Sequence, residues 1–187
     1  KEICENILNH SPSTCSYFVQ ETNKKDNLIK LSQKIIFDLK FDHDFIEGRV
    51  WKRNEAKVIL IDGFIDSLGE IHHLLHKASE DKDPYLIVCK GIREDAKSTI
   101  IHNNNRGTID VMVVSLDINE ENVNVINDIS ACMGTDIVSA LKGDTISKSV
   151  KEDLKTISNV SIDKKNITFK ISENNNLNQI LQECNGT

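Results

Sequence analysis

Residues 57–114 read KVILIDGFIDSLGEIHHLLHKASEDKDPYLIVCKGIREDAKSTIIHNNNRGTIDVMVV, and this stretch decides the fold. It holds three short apolar runs, at Lys57–Ile61, Tyr85–Cys89 and Ile109–Val114. Continuous apolar runs of this length are typical of strands buried on both faces, as in parallel sheets. The segments between them, 67–79 and 94–104, have the apolar spacing of helices. Strands and helices in alternation predict an α/β domain with a mostly parallel sheet flanked by helices.

The ends of these elements carry recognisable signals. Ser67 and Glu70 have the spacing of a capping box at the start of the first helix, and Pro84 stands just before the second strand. Gly107 and Gly134 follow helical segments, where a left-handed residue is favoured. The boundaries of the helices are therefore predicted within narrow limits.

Further elements are predicted on both sides of this stretch. Downstream, we expect a helix at 121–133, a short strand at Asp136–Val138 and a C-terminal β-hairpin whose two strands flank Asp163–Asn166. Upstream, the pattern predicts a helix near 1–9, a strand around Tyr17–Gln20 and an amphipathic segment at 28–39.

Composition limits the class of protein. The 187 residues suffice for one domain, with a short appendage at most. The net charge of -6 has the wrong sign for binding nucleic acid or an anionic membrane through charge. The longest apolar runs fall far short of the roughly 20 residues that span a bilayer, so we expect a soluble chain. Five cysteines without C-x-x-C spacing predict a reducing compartment and no disulfide framework.

Signals of catalysis are few. The sequence has no phosphate-binding glycine loop of the P-loop or dinucleotide type and no G-x-S-x-G nucleophile motif. His72 and His76 have the i,i+4 spacing of a two-histidine metal site, but no third ligand is identifiable and we assign no metal. Cys89 ends a buried strand, where an α/β sheet can place a ligand. A small metal- or thiol-dependent α/β enzyme using these residues is the alternative hypothesis.

A helical wheel separates the two faces of each central helix. In the first helix the arc expected to face the sheet contains Leu68, Ile71, Leu74, Leu75 and Ala78, with His72 and His76 beside it. In the second helix the inward arc contains Ala96, Thr99, Ile100 and Asn103. Lys97 and Ile101 lie outside that arc, and an apolar residue there is a weak indication of a contact surface.

The stretch quoted above resembles the apical domain of group I chaperonins, the 60-kDa ring-forming type. That family has a strand, a helix, a Lys-Pro step, a four-residue apolar strand, and a helix that ends in Asn-x-x-Arg-Gly. Here these features are matched by Pro84, Leu86–Cys89 and Asn103 to Gly107. Upstream, LKFDHDFIEGRV resembles the family's Phe-Asp-x-Gly-Tyr segment through Phe41 and Asp42. The resemblance covers residues 36–172.

The resemblance implies a polypeptide-binding apical domain at 37–172, an intermediate-domain flank at 1–36, and a return toward that domain at 173–187. Such a module binds non-native polypeptides and the co-chaperonin lid in a groove between helices 67–79 and 94–104. Matched residue by residue, the apolar groove positions fall on Phe45, Arg49, Val50, His72, Leu75, Lys97, Ile101 and His102. His76, in the same arc as His72, and the polar Asn103 complete the candidate binding site.

Two departures from the family bear on function. Arg49, His72, Lys97 and His102 are polar or cationic here, which predicts a weaker or more selective groove that prefers acidic-apolar segments. The family's ATP-binding motifs are absent, so no cofactor is expected in this chain, whereas ATP and Mg²⁺ are expected in a full-length parent. We expect this chain to be a monomer without ATPase activity and the parent to form a homo-oligomeric ring. A bacterial or phage-infected cytoplasm and an organelle matrix all fit the reducing compartment.

Overall fold

The computed structural model describes residues 34–42, 44–46, 50–117, 124–152 and 154–170. All of them belong to one compact unit that begins at Lys34. The strands are β1 (Lys34–Asp38), β2 (Trp51–Ile61), β3 (Phe64–Ile65), β4 (Pro84–Cys89), β5 (Gly91–Ile92), β6 (Asp110–Ser115), β7 (Ile137–Val138), β8 (Thr156–Ile162) and β9 (Asn166–Lys170). The helices are α1 (Leu68–Asp81), α2 (Glu94–Asn105), α3 (Val125–Met133) and α4 (Ile146–Lys151), with a 3₁₀ turn at Ala140–Lys142.

The main sheet is mixed. Its order is β1-β9-β8-β2-β4-β6, and β7 pairs with the end of β2. The pairings of β2 with β4, of β4 with β6 and of β2 with β7 are parallel. The pairings of β1 with β9, of β9 with β8 and of β8 with β2 are antiparallel. The α/β class is therefore confirmed, but the expectation of a mostly parallel sheet is wrong.

The antiparallel half of the sheet arises from the length of β2. The apolar run predicts a strand that begins at Lys57, whereas β2 begins at Trp51 and pairs with β8 over residues 51–57. Residues 52–55 read KRNE, and so polar a segment gives no sign of a strand in the sequence. Antiparallel sheets can have one face in solvent, so a polar segment can form a strand there. The predicted C-terminal hairpin is confirmed as β8 and β9, and it pairs with this extension.

The three strands predicted from apolar runs are buried on both faces, as expected, over residues 58–61, 85–89 and 111–114. Alternate residues of β2, β4 and β6 point to opposite sides of the sheet. One side packs against α3 through residues that include Leu60, Leu86 and Ile129. The other side packs against α1, α2 and α4. Each fully buried aliphatic side chain contributes about 1.5–3 kcal/mol, so these layers carry most of the stability.

The helix ends agree with the sequence in most respects. Gly134 ends α3 with φ 62°, and Gly107 follows α2 with φ 68°, both left-handed as expected. Ser67 is the N-cap of α1, but the capping box is only partly formed. The Ser67 hydroxyl donates to Glu70 Oε1 at 3.2 Å and the Asp66 N–H donates to Glu70 Oε2 at 3.4 Å, while the Ser67 side chain accepts no backbone hydrogen bond.

Some predictions fall partly or wholly outside the described residues. These are the helix near 1–9, the strand at Tyr17–Gln20, the start of the helix at 121–133 and the return segment 173–187. The described part of the amphipathic segment 28–39 contains β1, which pairs with β9 across the boundary predicted after residue 36. In the described part of the chain, no helix has both the length and the apolar character needed to cross a membrane.

Candidate functional site

A cavity of about 710 Å³ lies between the C-terminal half of α2 and the chain that precedes and begins β2. The start of β6 and the loop before it form its floor. Its apolar lining consists of Phe45, Ile46, Val50, Trp51, Ile101, Ile109, Val111 and Met112. The charged residues that line it are Asp44, Arg53, Lys82 and Asp110. This volume lies within the range of protein sites that take apolar side chains or small ligands.

Three of the residues predicted from the resemblance meet in this cavity, namely Phe45, Val50 and Ile101. Phe45 and Ile101 are partly buried, and Phe45 also packs against the core. Val50 is 59% exposed. These three side chains give the cavity an apolar wall on each side.

The residues predicted on α1 do not join them. None of the described lining residues belongs to α1, so His72, Leu75 and His76 lie elsewhere. Leu75 is partly buried against the core, whereas both histidines are exposed. This cavity lies between α2 and residues 44–46 and 50–51, and it does not coincide with the groove predicted between α1 and α2.

The other residues predicted for the binding site are not among the described residues that line the cavity. His102 is exposed and is not among the described lining residues. Asn103 supports the end of α2, since its side-chain amide donates to the Thr99 carbonyl at 2.9 Å and its side-chain oxygen accepts from the Thr108 hydroxyl at 3.1 Å. Arg49 lies outside the described residues.

Lys97 is buried, contrary to the prediction from the sequence. The wheel placed it outside the core arc as a free positive charge, but it is only 8% exposed. Its ammonium lies 2.7 Å from Asp42 Oδ2, 3.6 Å from Glu94 Oε2 and in contact with Asp44. A wheel records the direction of a side chain and not what packs against it, and here Asp42 and Asp44 lie against Lys97 on this face of α2.

A polar cluster that the sequence analysis missed forms one wall of the cavity. The Asp110 carboxylate accepts from Trp51 Nε1 at 3.0 Å, from Arg53 Nε at 2.5 Å and from Arg53 Nη2 at 2.9 Å. The Arg53 guanidinium also stacks 5.1 Å from the centre of a Trp51 ring. Because 57 or more residues separate Asp110 from both partners, no local sequence signal could have shown the cluster.

Asn104 explains why the cavity floor keeps its shape. Its side-chain amide donates to the Val111 carbonyl at 2.7 Å, and its side-chain oxygen accepts from the Val111 N–H at 3.0 Å. Val111 lies on β6, which is the last strand of the sheet order. The asparagine therefore takes the place of a neighbouring strand and fixes α2 against the sheet edge.

The charges of the cavity are largely compensated within the protein. Arg53 pairs with Asp110, and Asp44 pairs with Lys97. Lys82, the left-handed residue that ends α1, donates to the Thr108 carbonyl at 3.1 Å. Most charged groups of the cavity are therefore engaged within the protein, and its surface combines them with the eight apolar side chains.

The thiol hypothesis receives no support from Cys89. Its side chain is fully buried at the end of β4, and burial raises the pKa of the Cys89 thiol to about 12. At neutral pH this thiol keeps its proton and is a poor nucleophile. A second cavity, of about 370 Å³, lies near this edge of the sheet and includes Phe64, Lys90 and Arg93, but Cys89 is not among its described lining residues.

The histidines of α1 form an exposed stripe. The ring centres of His72 and His76 are 6.5 Å apart, and His76 Nδ1 lies 3.2 Å from Glu80 Oε2. Among the residues that the structure describes, no group of three or more histidine, cysteine or acidic side chains is arranged to hold a metal ion. The two-histidine spacing thus has no third ligand in the described chain.

No protein-family model matches the chain. The chain is similar to chaperonin GroEL 1 of Prochlorococcus marinus strain MIT 9313, at 20% identity over 162 residues, which are 84% of this chain and 29% of that protein. Chaperonin GroEL 1 of strain MIT 9215 is 23% identical over 156 residues, 81% of this chain and 27% of that protein. The chaperonin GroEL 1 of strain MIT 9312 is 22% identical over 156 residues. The chain spans less than a third of the length of the curated relatives it matches, and the similarity indicates a distant relationship to chaperonins.

Proposed function

We propose that this chain is the polypeptide-binding part of a chaperonin-related protein and that it captures apolar segments of non-native proteins in the cavity beside α2. One observation carries the proposal. Phe45, Val50 and Ile101, matched to apolar binding positions by the resemblance, line a single cavity although more than 50 residues separate Ile101 from the other two.

The composition of the cavity supports an apolar ligand. An extended polypeptide that places one or two aliphatic or aromatic side chains there would remove apolar surface of both partners from water. Each Å² so buried contributes roughly 25 cal/mol. Val50 is the most exposed of the three matched residues, and covering it gives the ligand new apolar contact.

The structure changes the expected selectivity. The preference for acidic-apolar segments assumed four cationic or titratable groups in one groove. Three of the four do not line this cavity as free charges: Lys97 is buried and paired, His72 is on α1, and His102 is not among the described lining residues. The fourth, Arg49, lies outside the described residues. We therefore propose a site selective for neutral apolar segments.

The wider function is proposed by analogy with the relatives. A co-chaperonin loop is a second candidate occupant of the same cavity. A ring of subunits that binds ATP and Mg²⁺ would require the part of the relatives that this chain does not cover. We propose that the chain alone is a monomer and that its parent works in a reducing compartment.

Two matched variants test the proposal. Val50→Asp places a carboxylate at the cavity, and Leu141→Asp places one at a leucine that is 95% exposed in a 3₁₀ turn and is not a lining residue. Wild type and each variant are immobilised, and a reduced and carboxymethylated protein, which cannot refold, is passed over them. We expect wild type and Leu141→Asp to retain it and Val50→Asp to lose it. Equal retention by the two variants would contradict the proposed site.

The enzyme alternative has its own test. Stoichiometric zinc that survives dialysis, and that is lost when His72 and His76 are both replaced by asparagine, would favour a metal-dependent function over polypeptide capture.

A further inference from the structure

Lys97 has an environment that polypeptide contact does not explain. It lies in the N-terminal half of α2, with its side chain buried and three carboxylates around its ammonium group. Two of these carboxylates, those of Asp42 and Asp44, come from the segment that leads into the cavity wall. The third, Glu94, is one turn away on the same helix and is highly exposed.

The two aspartates tie this segment at its start. The Asp42 N–H donates to the Ser115 carbonyl at 3.2 Å, and Asp42 Oδ1 accepts from the Asp44 N–H at 3.1 Å. Phe41 also forms an antiparallel bridge with Leu116, just after β6. Backbone contacts therefore hold the segment to the sheet as far as residue 42, and Lys97 extends the attachment to residue 44.

The next residues are those that form the cavity. Phe45 and Ile46 follow Asp44 directly and line the cavity opposite Ile101. Ile101 is one turn beyond Lys97 on α2. The lysine and the apolar wall thus share one helix, and the position of Asp44 determines where Phe45 stands relative to Ile101.

The protonation states strengthen this attachment. Hydrogen bonds to Asp42 and Asp44 raise the pKa of Lys97 well above its ordinary value and outweigh the opposite effect of burial. Burial alone would raise the pKa of Asp42, but its hydrogen bonds with Lys97 and with the Asp44 backbone hold it below its ordinary value. Lys97 and Asp42 therefore both favour their charged forms, and removing an aspartate would leave the buried ammonium group with less compensation.

We propose that Lys97 is a positioning residue for the binding cavity: by holding Asp42 and Asp44 it fixes Phe45 and Ile46 as the wall opposite Ile101. This inference rests on the proposed function. Its consequence is that affinity for a neutral peptide depends on Lys97, which is not among the described lining residues, through its pairing with Asp44, which is.

The test uses a native probe. Trp51 is the only tryptophan of the chain and lines the cavity, so its emission reports the binding of an uncharged, tryptophan-free apolar peptide. Affinities are measured for wild type, Lys97→Met, Asp44→Asn, the double variant and the control Glu94→Gln. The peptide is added to each variant at a temperature at which urea denaturation shows that variant to be folded. Asp44→Asn keeps the test usable if Lys97→Met does not fold.

We expect Lys97→Met to weaken binding about tenfold and Asp44→Asn several-fold, as for residues coupled by direct contact. The double variant should be no weaker than Lys97→Met alone, and Glu94→Gln should bind like wild type. A role limited to stability would lower the melting temperature but leave the affinity of the folded chain unchanged. Wild-type affinity in folded Lys97→Met or Asp44→Asn would overturn the inference and leave the proposed function intact. Failure of wild type to bind any apolar peptide would overturn the proposed function itself.

Discussion

Replacing Asp110 by asparagine should destabilise the wall of the cavity by an amount that the structure allows us to work out. The aspartate accepts three hydrogen bonds, two from Arg53 and one from Trp51. Asparagine removes the charge and turns one acceptor into a donor that faces another N–H group. Hydrogen bonds to charged groups contribute about 1.5–3 kcal/mol each when buried.

Partial exposure reduces this sum. The side chains of Asp110 and Arg53 are 32% and 37% exposed, so solvent screens the pair and replaces part of what is lost. We expect a loss of about 2 kcal/mol in the free energy of unfolding for Asp110→Asn. For a chain of this size the melting temperature should fall by about 4–8 °C.

Urea denaturation followed by far-ultraviolet circular dichroism measures the effect, since Trp51 fluorescence would be altered by the substitution itself. The slope of the transition should stay constant while its midpoint falls. Arg53→Lys serves as a control that keeps the charge but cannot make the two-pronged contact, and it should cost about half as much. A loss below about 0.5 kcal/mol for Asp110→Asn, typical of surface changes, would show that the cluster does not hold this wall.

Three further predictions concern other parts of the site. Burial and a raised pKa should keep Cys89 from reacting with a disulfide reagent in the native protein at pH 8, so Cys89→Ser should leave the number of reactive thiols unchanged. In denaturant, the same substitution should remove one reactive thiol. Asn104→Asp should lose about 1–3 kcal/mol in urea titrations, because a carboxylate oxygen would face the Val111 carbonyl that the amide now satisfies. The Lys97–Asp42 pair should contribute its full stability from about pH 5 to pH 9, between the ordinary pKa values of the two groups. Because the pKa of Asp42 is lowered in the folded state, that stability is lost as pH falls through its folded value, so wild type should lose more than Lys97→Met between pH 5 and 3.

The part of the fold that sequence reasoning predicted is the part governed by local composition. Residues 58–61, 85–89 and 111–114 are short, continuous apolar runs rich in β-branched residues, as is typical of strands with two buried faces. Glycines placed directly after helical segments fixed the ends of α2 and α3. These signals are local in the chain and needed no knowledge of neighbouring elements.

The pairing of β2 was not predictable in the same way. Lys52 to Glu55 look like a polar loop, and only the presence of β8 beside them makes them a strand. The direction of pairing in half of the sheet depends on this extension, so the error in strand length became an error in sheet type. The cluster at Asp110 is a contact between distant residues and has no local signature either.

In the candidate site, too, the features that depend on contacts between distant residues could not be predicted from local sequence. The resemblance predicted Phe45, Val50 and Ile101, and the cavity that contains all three depends on the position of residues 44–46, which no periodicity predicts. The wheel was right that Lys97 does not face the sheet and wrong about what it faces. A lysine at a matched apolar position was interpreted as a charge offered to the ligand, yet its charge is used by Asp42 and Asp44. A lysine at position 97, where the family has an apolar residue, therefore does not require a cationic binding surface. A buried lysine with two acidic partners can hold Phe45 and Ile46 in place by ion pairs where the family uses apolar packing.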